Sequence, residues 1–286
     1  MKLKKRILAM ITMAAVLLGV AAAPAVSSAE EQMTGEAYLN MMAAASAGMT
    51  SERISMSAAI KLKSGTMLYE IDAAASTNPY ATETTTTMTL IEKKSQDSSS
   101  THSYLVPDAA GTYWEYTDYG EGIGWVKEKY DMTTAELNEL TAASTVTEFD
   151  TSRLSKIKLQ SESTMVNDKE CAAVTAQITG KALWKTMVSM DKSLKKEYKF
   201  LKKCKPIGIT YYIEKATGYP VKMTFSLNAF AKSYLKKDKS MKDLRKEFKS
   251  VSLEISYSDI NAVSIVLPQE ALNAVDIDSL YNSIYY

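Results

Sequence analysis

Two runs of alternating apolar residues on either side of a short turn form the clearest pattern in this chain. The alternating positions are Ile207, Ile209, Tyr211 and Ile213 in the first run, and Val221, Met223, Phe225 and Leu227 in the second. Such a period of two is typical of paired strands with one buried face. Gly218 in the link tolerates a positive φ, and Pro220, which cannot donate a hydrogen bond, is expected at the start of its strand. The pattern predicts a β-hairpin over residues 207–230.

The same alternation recurs along most of the chain. Further strands are predicted at residues 54–62, 67–73, 82–91, 103–106, 111–117, 124–127, 157–159, 171–178, 251–257 and 263–267. Residues 96–100 are polar and are interpreted as a loop, and Gly120-x-Gly122-x-Gly124 as a hairpin turn. About ten antiparallel strands with one covered face are expected.

Helical periodicity appears in a few segments between the strands. Residues 36–46 have helix formers with one apolar face, and Thr133-x-x-Glu136 is a capping-box pattern that opens a short helix. Residues 181–200 carry a broad apolar stripe with lysines on the other face, and residues 231–249 are predicted to be a lysine-rich helical insertion. The expected fold class is α+β. It consists of a strongly curved antiparallel sheet, an open half-barrel, with helices packed in its concave face.

The first residues resemble an export signal. Four basic residues precede an apolar run over 7–20, and small residues follow up to Ala29. A secretory signal peptide over residues 1–29, cleaved before Glu30, is predicted, and an uncleaved membrane anchor is the alternative. No cysteine lies near that site, so lipid attachment there is excluded. A single domain over residues 30–274 and a C-terminal tail over 275–286 are expected, in the extracytoplasmic cell envelope.

Charge is distributed unevenly along the chain. Without the signal the net charge is −3, but residues 181–250 carry 19 basic and 6 acidic residues. The densest basic positions are Lys232, Lys236, Lys237, Lys239, Lys242, Arg245, Lys246 and Lys249. They could face an anionic membrane surface or wall polymer, and the alternative is a solvated helix face. Nucleic acid is not expected as a partner, because no aromatic–basic recognition motif accompanies these charges.

The residue types that carry catalysis or hold metals are scarce. His102 is the single histidine, and Cys171 and Cys204 are the two cysteines. A disulfide between these cysteines and a pair of buried free thiols are both compatible with the sequence. Ser-x-x-Lys occurs four times, for example at Ser155–Lys158, but lysine is abundant enough for chance to explain it. No enzyme activity, cofactor or metal is predicted.

The order of elements also resembles a known family. The segments "YYIEKATGYPVKMTFSL" and "SLEISYSDINAVSIVLP" follow a leading helix, a long hairpin and a midchain amphipathic helix. This order is similar to the LolA-like superfamily of envelope lipoprotein carriers, which includes the LppX–LprG-like proteins, and more closely to secreted Gram-positive members of unassigned function. The resemblance implies an unclosed antiparallel barrel that holds helices in its concave face, with acyl chains bound between them.

Two functions follow from the patterns and the resemblance. The first is an exported envelope protein that holds an apolar ligand, a lipid or acyl chain, between the sheet and lid helices. Its predicted lining is Trp184, Met187, Val188, Met190, Leu194, Val221, Met223, Phe225 and Leu227. Methionines suit such a lining because they are deformable. The second is a non-enzymatic structural or interaction module of the envelope whose concavity is filled. The oligomeric state is left open.

Overall fold

The computed structural model describes residues 33–92, 94–120, 122–130, 153–190 and 194–277, which group into two compact units. Unit 1 comprises the described residues of Met1–Gly48, Ala58–Met67 and Thr145–Ser256. Unit 2 comprises those of Met49–Ser57, Leu68–Ser144 and Tyr257–Tyr286. The predicted signal segment, the capping box at Thr133 and the end of the tail lie outside the described residues.

The strands belong to one open sheet. They are β1 Ser51–Leu62, β2 Gly65–Thr77, β3 Tyr80–Glu92, β4 Gln96–Pro107, β5 Tyr113–Asp118, β6 Trp125–Tyr130, β7 Leu154–Leu159, β8 Thr164–Val166, β9 Lys169–Ile178, β10 Ile207–Glu214, β11 Pro220–Ser226, β12 Phe248–Ser258 and β13 Val275–Asp276. Their order is β13-β6-β5-β4-β3-β2-β1-β12-β11-β10-β9-β7, with β8 paired to β9. The two edge strands, β13 and β7, do not pair with each other, so the sheet is unclosed.

Helices interrupt the strands mainly in the second half of the chain. They are α1 Gly35–Ala47, α2 Gly180–Met190, α3 Leu194–Glu197, α4 Asn228–Lys237 and α5 Lys242–Glu247, with 3-10 turns at Lys199–Lys203, Lys239–Met241 and Ala271–Asn273. The α1 helix begins after Thr34, whose hydroxyl accepts a hydrogen bond from the backbone N–H of Ala37 at 3.1 Å. It packs against β7, β9 and β10.

The predicted hairpin over 207–230 is confirmed. Tyr211 of β10 pairs with Met223 of β11, and buried residues alternate with half-buried ones along β10. Pro220 is the first residue of β11, and Gly218 has a φ of +78°. A Cβ on Gly218 would also lie 2.8 Å from Cγ of Met41 in α1. The glycine therefore serves both the turn and the close approach of the helix.

The predicted class, an α+β fold with an open and largely antiparallel sheet, is confirmed. The described part of the chain contains thirteen strands rather than about ten. One pairing is parallel, that of Val275 in β13 with Val126 in β6. The Gly120–Gly124 segment connects β5 to β6 as predicted, and its three glycines all have positive φ.

The prediction of a loop over residues 96–100 is wrong, because these residues form the first part of β4. Their serines pair with the threonines of β3, where Thr89 and Ser98 hydroxyls lie 3.1 Å apart and those of Thr87 and Ser100 3.2 Å apart. A polar strand of this kind has no apolar alternation, and its register depends on cross-strand hydroxyl pairs. His102 consequently lies within a strand and not at a loop junction.

Two further expectations are corrected. Residues 263–267 alternate but do not form a strand, and Val266 is 74% exposed. Asp259 and Asn261 have positive φ and divert the backbone before this segment, which is attached through the bond from Val263 N–H to the Ser51 hydroxyl. The predicted helix over 181–200 ends before Tyr198, and helical structure in the lysine-rich stretch already begins at Asn228.

Candidate functional site

The strand half of the predicted ligand lining lies in the packed core of unit 1. Val221, Met223, Phe225 and Leu227 are at most 8% exposed. The facing strand β10 is equally buried, and unit 1 also buries apolar residues of α1, α4 and the turn at Leu201. The apolar side of this hairpin is therefore filled by the protein's own side chains, which is the arrangement expected for a core.

The helical half of that lining is less deeply placed. Trp184 and Val188 in α2 are half-buried, and the side chains of Met187, Met190 and Leu194 lie outside what the structure describes. The Trp184 indole donates a hydrogen bond to the Lys195 carbonyl at 3.3 Å, and the Lys202 ammonium lies 3.4 Å from the ring centroid. Trp184 is thus held by a cation–π contact at the rim of unit 1 and is not a fully packed core residue.

Unit 2 has an apolar surface that is only partly covered. We call it the tyrosine face and define it by Tyr69, Ile71, Tyr80, Met88, Leu105, Tyr113 and Tyr130, of which only Tyr113 is buried. These residues share one side of the sheet, because directly paired residues of antiparallel strands point to the same side. Tyr113 pairs with Tyr130, and its ring centroid lies 6.4 Å from that of Tyr80.

Partial burial affects the tyrosine hydroxyl groups of the tyrosine face. It raises the pKa of Tyr69, Tyr80 and Tyr113, and it is the largest cause in each case. A hydrogen bond between the side chains of Tyr69 and Thr86 ties β2 to β3 on this side. The surface therefore combines apolar rings with phenol hydroxyls, a combination suited to an amphipathic ligand.

Glu52 is the polar residue that stands out on the same side of β1. Arg53 contacts Asp72 on the opposite side of the sheet, so Glu52 points to the side of Ile71. Its Oε2 atom is buried without a hydrogen-bond partner among the described residues. Burial raises the pKa of the Glu52 carboxyl. It also raises the pKa of Tyr257, with the negative charge of Glu52 as a further cause. Burial therefore makes ionisation of Glu52 less favourable than that of an exposed carboxyl group.

The opposite side of unit 2 carries an ion-pair network. Arg53 lies 2.6 Å from Asp72, 3.5 Å from Asp259 and 3.7 Å from Glu83. Glu83 Oε1 also lies 3.1 Å from His102 Nε2 and accepts a hydrogen bond from the Tyr104 hydroxyl at 3.0 Å. Burial, followed by this bond, raises the pKa of Tyr104 to about 12. Alternation along β1 to β4 gave no sign that these charges meet, because the network depends on the register between strands.

This network has the geometry of a structural cluster. The His102 ring lies 4.7 Å from Tyr104 and 5.8 Å from Trp125, centroid to centroid. Its hydrogen-bonding partner is the Glu83 carboxylate, and among the described residues no hydroxyl or thiol is hydrogen-bonded to it. Nucleophilic catalysis needs such a pair within hydrogen-bond reach. Across the described ranges, no group of three or more His, Cys, Asp or Glu could hold a metal ion.

The basic positions predicted from the sequence do form an exposed surface, which we call the basic surface. It comprises Lys232, Lys236, Lys237, Lys239, Lys242, Arg245, Lys246 and Lys249, all of them exposed on or beside α4 and α5. Lys246 pairs with Asp243 at 3.2 Å. The other seven have no carboxylate partner within the part of the chain that the structure describes.

The two cysteines are free and buried, so the disulfide alternative is corrected. Cys171 pairs with Glu214 at one end of β10, whereas Cys204 precedes Ile207 at the other end. At about 3.3 Å per residue, these ends are roughly 20 Å apart. A bridge needs Cα atoms within about 7 Å. Burial raises the pKa of both thiols, that of Cys204 to about 11.

Within the described residues, no helix is both long and apolar enough to cross a membrane. Among solved structures, the chain is similar to the Mycobacterium tuberculosis lipoprotein LppX, with 14% identity over 82% of this chain and 98% of that chain and a TM-score of 0.42. It is similar to LprF from Mycobacterium bovis with 13% identity over 83% and 97% and a TM-score of 0.44. A DUF1329 family protein from Desulfovibrio piger matches with 6% identity over 82% and 93% and a TM-score of 0.24.

LppX is a member of the group that the sequence resembles. Sequence identities this low do not show which ligand or partners this protein has. No curated protein matches the chain. The profile of a protein family described as a family of unknown function, DUF6612, matches residues 34–276. The match spans most of the chain, which therefore belongs to the DUF6612 family.

Proposed function

We propose that this protein is an exported, non-enzymatic binding protein of the cell envelope that holds an apolar ligand, a lipid or an acyl chain. The observation that supports it is the tyrosine face of unit 2. Ile71, Met88 and Leu105 there remain half-buried, whereas the equivalent apolar positions of unit 1 are fully buried. An apolar surface that a protein leaves partly open marks a binding site more often than a scattered exposed residue does.

The chemistry of the surface supports an amphipathic ligand. Methionine and leucine side chains adapt to an acyl chain, and tyrosines provide large apolar contacts with a hydroxyl at one end. Glu52 adds a buried carboxyl group that is without a partner in the described structure. Ligand sites commonly combine an apolar lining with a few polar groups that fix the ligand's orientation. In this proposal the Glu52 carboxyl group forms a hydrogen bond with the polar end of the ligand.

The experiment compares two methionine substitutions with a fluorescent probe, dansyl-undecanoic acid. Met88→Glu places a charge on the tyrosine face, whereas Met165→Glu places the same charge at a position that is 65% exposed in unit 1. We expect Met88→Glu to weaken probe binding by at least about tenfold, the effect of about 1.4 kcal/mol. Met165→Glu should bind like the wild type.

Native mass spectrometry of the purified mature protein, followed by organic extraction, then identifies what it carries. Co-purified lipid that is lost in Met88→Glu supports the proposal. A clean apo mass together with no probe binding to the wild type would contradict it. Equal binding by Met88→Glu and the wild type would contradict the location on the tyrosine face.

The alternative function, a structural or interaction module of the envelope, is favoured by unit 1. Its apolar side is closed by its own side chains, as Ile213 and Ile255 at 0% exposure show. This function predicts an apo protein and no probe binding, so the same experiment separates the two.

Contact with an anionic membrane surface or wall polymer is a further part of the proposal. Seven cations of the basic surface that have no carboxylate partner among the described residues support it, since each basic residue near an anionic membrane contributes about 1 kcal/mol at low salt. We expect weak, salt-sensitive binding to vesicles that contain phosphatidylglycerol. Replacing Lys232, Lys236, Lys239 and Lys242 by Glu should abolish it without unfolding the protein.

The matched control changes the same charge at four scattered exposed lysines, Lys61, Lys94, Lys181 and Lys205. It should retain most of the binding. Both variants lose the same total charge, but only the test variant lowers the charge density of the basic surface. Equal losses in both variants would show that only net charge matters. No binding by the wild type even at low salt would remove the anionic surface from the proposal.

A further inference from the structure

Unit 1 has a polar groove on the side of its sheet opposite the apolar core. It occupies 410 Å³ across β7, β9, β10 and β11. We call it the threonine groove and define it by the polar residues that line it: Lys156, Lys158, Thr175, Gln177, Thr210, Thr224 and Ser226. They lie on the polar side because Ile207, Ile209 and Tyr211 of β10 point into the core.

The register aligns these side chains in rows. Lys158 pairs with Thr175, Thr175 with Thr210, and Thr210 with Thr224. The neighbouring row has Gln177 opposite Gly208 and Gly208 opposite Ser226. Gly208 carries no side chain in this row, and a Cβ there would lie 3.3 Å from Cβ of Ser226, closer than an ordinary van der Waals contact. The missing side chain contributes to the depression between Gln177 and Ser226.

A bulge supplies the cations at one edge. The register of β7 shifts between Ser155 and Lys158, and Lys156 has a φ of +53°. A bulge of this kind bends the strand and redirects its side chains, and bulges are frequent beside functional sites. Both Lys156 and Lys158 are exposed, line the groove and have no carboxylate partner among the described residues.

The groove has the charge and the hydrogen-bonding groups of an anion site. None of the described residues that line it is acidic, and Glu254, which is paired in register with Thr224, is neutralised by Lys222 at 2.7 Å. The side chains of Gln177, Thr210 and Ser226 have no hydrogen-bond partner in the described structure, so they are available to a ligand. At about 30 Å³ per water molecule, the volume corresponds to roughly a dozen waters, which leaves room for a sugar that carries a phosphate group.

We infer that the threonine groove binds a phosphate group carried on a sugar or another polyol, with the lysines on the phosphate and the hydroxyl and amide groups on the ligand's hydroxyls. Charge-assisted hydrogen bonds of this kind are about twice as strong as neutral ones. This inference does not rest on ligand binding at the tyrosine face. A free sugar phosphate and a phosphodiester polymer share this chemistry.

The test measures binding of glucose 6-phosphate by calorimetry, with glucose as the neutral comparison. The double substitution Lys156→Gln and Lys158→Gln should weaken binding by about tenfold, a modest effect because both charges are exposed. The matched control, Lys199→Gln with Lys205→Gln, removes the same charge from exposed positions outside the groove and should bind like the wild type.

A second variant, Gly208→Val, fills the depression without changing charge and should also reduce binding. Poly(glycerol phosphate) in place of glucose 6-phosphate distinguishes the two sources of the ligand, because only the polymer should bind more tightly as chain length grows. Equal binding of glucose and glucose 6-phosphate would overturn the inference. So would an equal loss in the control variant, or no binding of either phosphate compound by the wild type.

Discussion

The two units differ in how completely they cover the apolar side of their strands. In unit 1 the strand pattern alternates between buried and half-buried residues, and helices contribute their apolar sides to the same core. In unit 2 the strands β2 and β3 are half-buried along most of their length. Both units have clear strands, so strand formation does not depend on complete burial. The proposed binding surface in unit 2 rests on this difference.

The largest expected effect is on the core of unit 1. Ile213→Ala removes a side chain at 0% exposure, and we expect a loss of about 4 kcal/mol in the free energy of unfolding, from lost burial and the cavity left behind. The measurement is urea denaturation followed by circular dichroism. A loss below about 1 kcal/mol would show that unit 1 is not tightly packed.

The matched substitution in unit 2 is Ile71→Ala. Ile71 is half-buried on the tyrosine face, so the same change should cost only about 1 kcal/mol, because less apolar area leaves contact. It should also weaken probe binding, which Ile213→Ala should not do beyond its effect on folding. Equal losses of stability at the two isoleucines would break the comparison between the units.

Substitution of Glu52 tests how a buried carboxyl group affects the stability of unit 2. Its folded pKa is raised above the ordinary value of 4.5, so the unfolded state loses its proton first as pH rises. Stability from this group is then present below about pH 4.5 and falls as pH rises towards the folded pKa. Glu52→Gln should therefore be more stable than the wild type at neutral pH, by about 1 kcal/mol, with the difference vanishing at low pH. Melting curves across this range provide the measurement, and a pH-independent difference would argue against a titrating carboxyl.

The cation–π contact at the rim of unit 1 should contribute less. Lys202→Gln removes the ammonium that lies 3.4 Å from the Trp184 ring centroid, and about 0.5–1 kcal/mol is expected from such a contact. Denaturant melts of this variant and of Lys203→Gln, a neighbouring exposed lysine, check it. If the two variants are equally stable, the contact contributes nothing measurable.

The last prediction concerns the reactivity of the two thiols and involves no substitution. Burial raises the pKa of Cys171 and Cys204, and both side chains are shielded in unit 1. Thiol titration of the unreduced protein should find almost no reaction in the native state and two thiols after denaturation. An absence of titratable thiols after denaturation would restore the disulfide and contradict the register of β9 with β10.

Much of the fold could be predicted from the sequence, because apolar alternation reports directly on strands with one buried side. Ile207–Ile213 and Val221–Phe225 illustrate this, and Gly218 marked the turn between them. Strand β4 could not be recognised over Gln96–Ser100, since hydroxyl pairs and not apolar residues fix it. Residues 263–266 alternate in the same way but do not pair with a strand, because the positive φ values of residues before them divert the backbone.

The candidate sites were harder to predict than the fold. The lining residues in β11 were recognised as apolar, but periodicity does not distinguish a core from a ligand cavity, since both need the same residue types. The tyrosine face and the Arg53 network each depend on which residues of different strands are neighbours. That register is set by tertiary pairing, as Glu83 and His102 show, and single-strand patterns do not contain it. The basic surface was predictable because charge density is local in sequence.

Photolabelling with a diazirine-bearing fatty acid tests the central claim most directly. The labelled protein would be digested, and the modified peptides identified by mass spectrometry. If the tyrosine face binds the ligand, labels are expected in the peptides of β2, β3 and β4, around Ile71, Met88 and Leu105. Unlabelled fatty acid should reduce this labelling. Labels confined to Ile207–Ser226 of unit 1, or labelling that no competitor reduces, would contradict the claim that unit 2 holds the ligand.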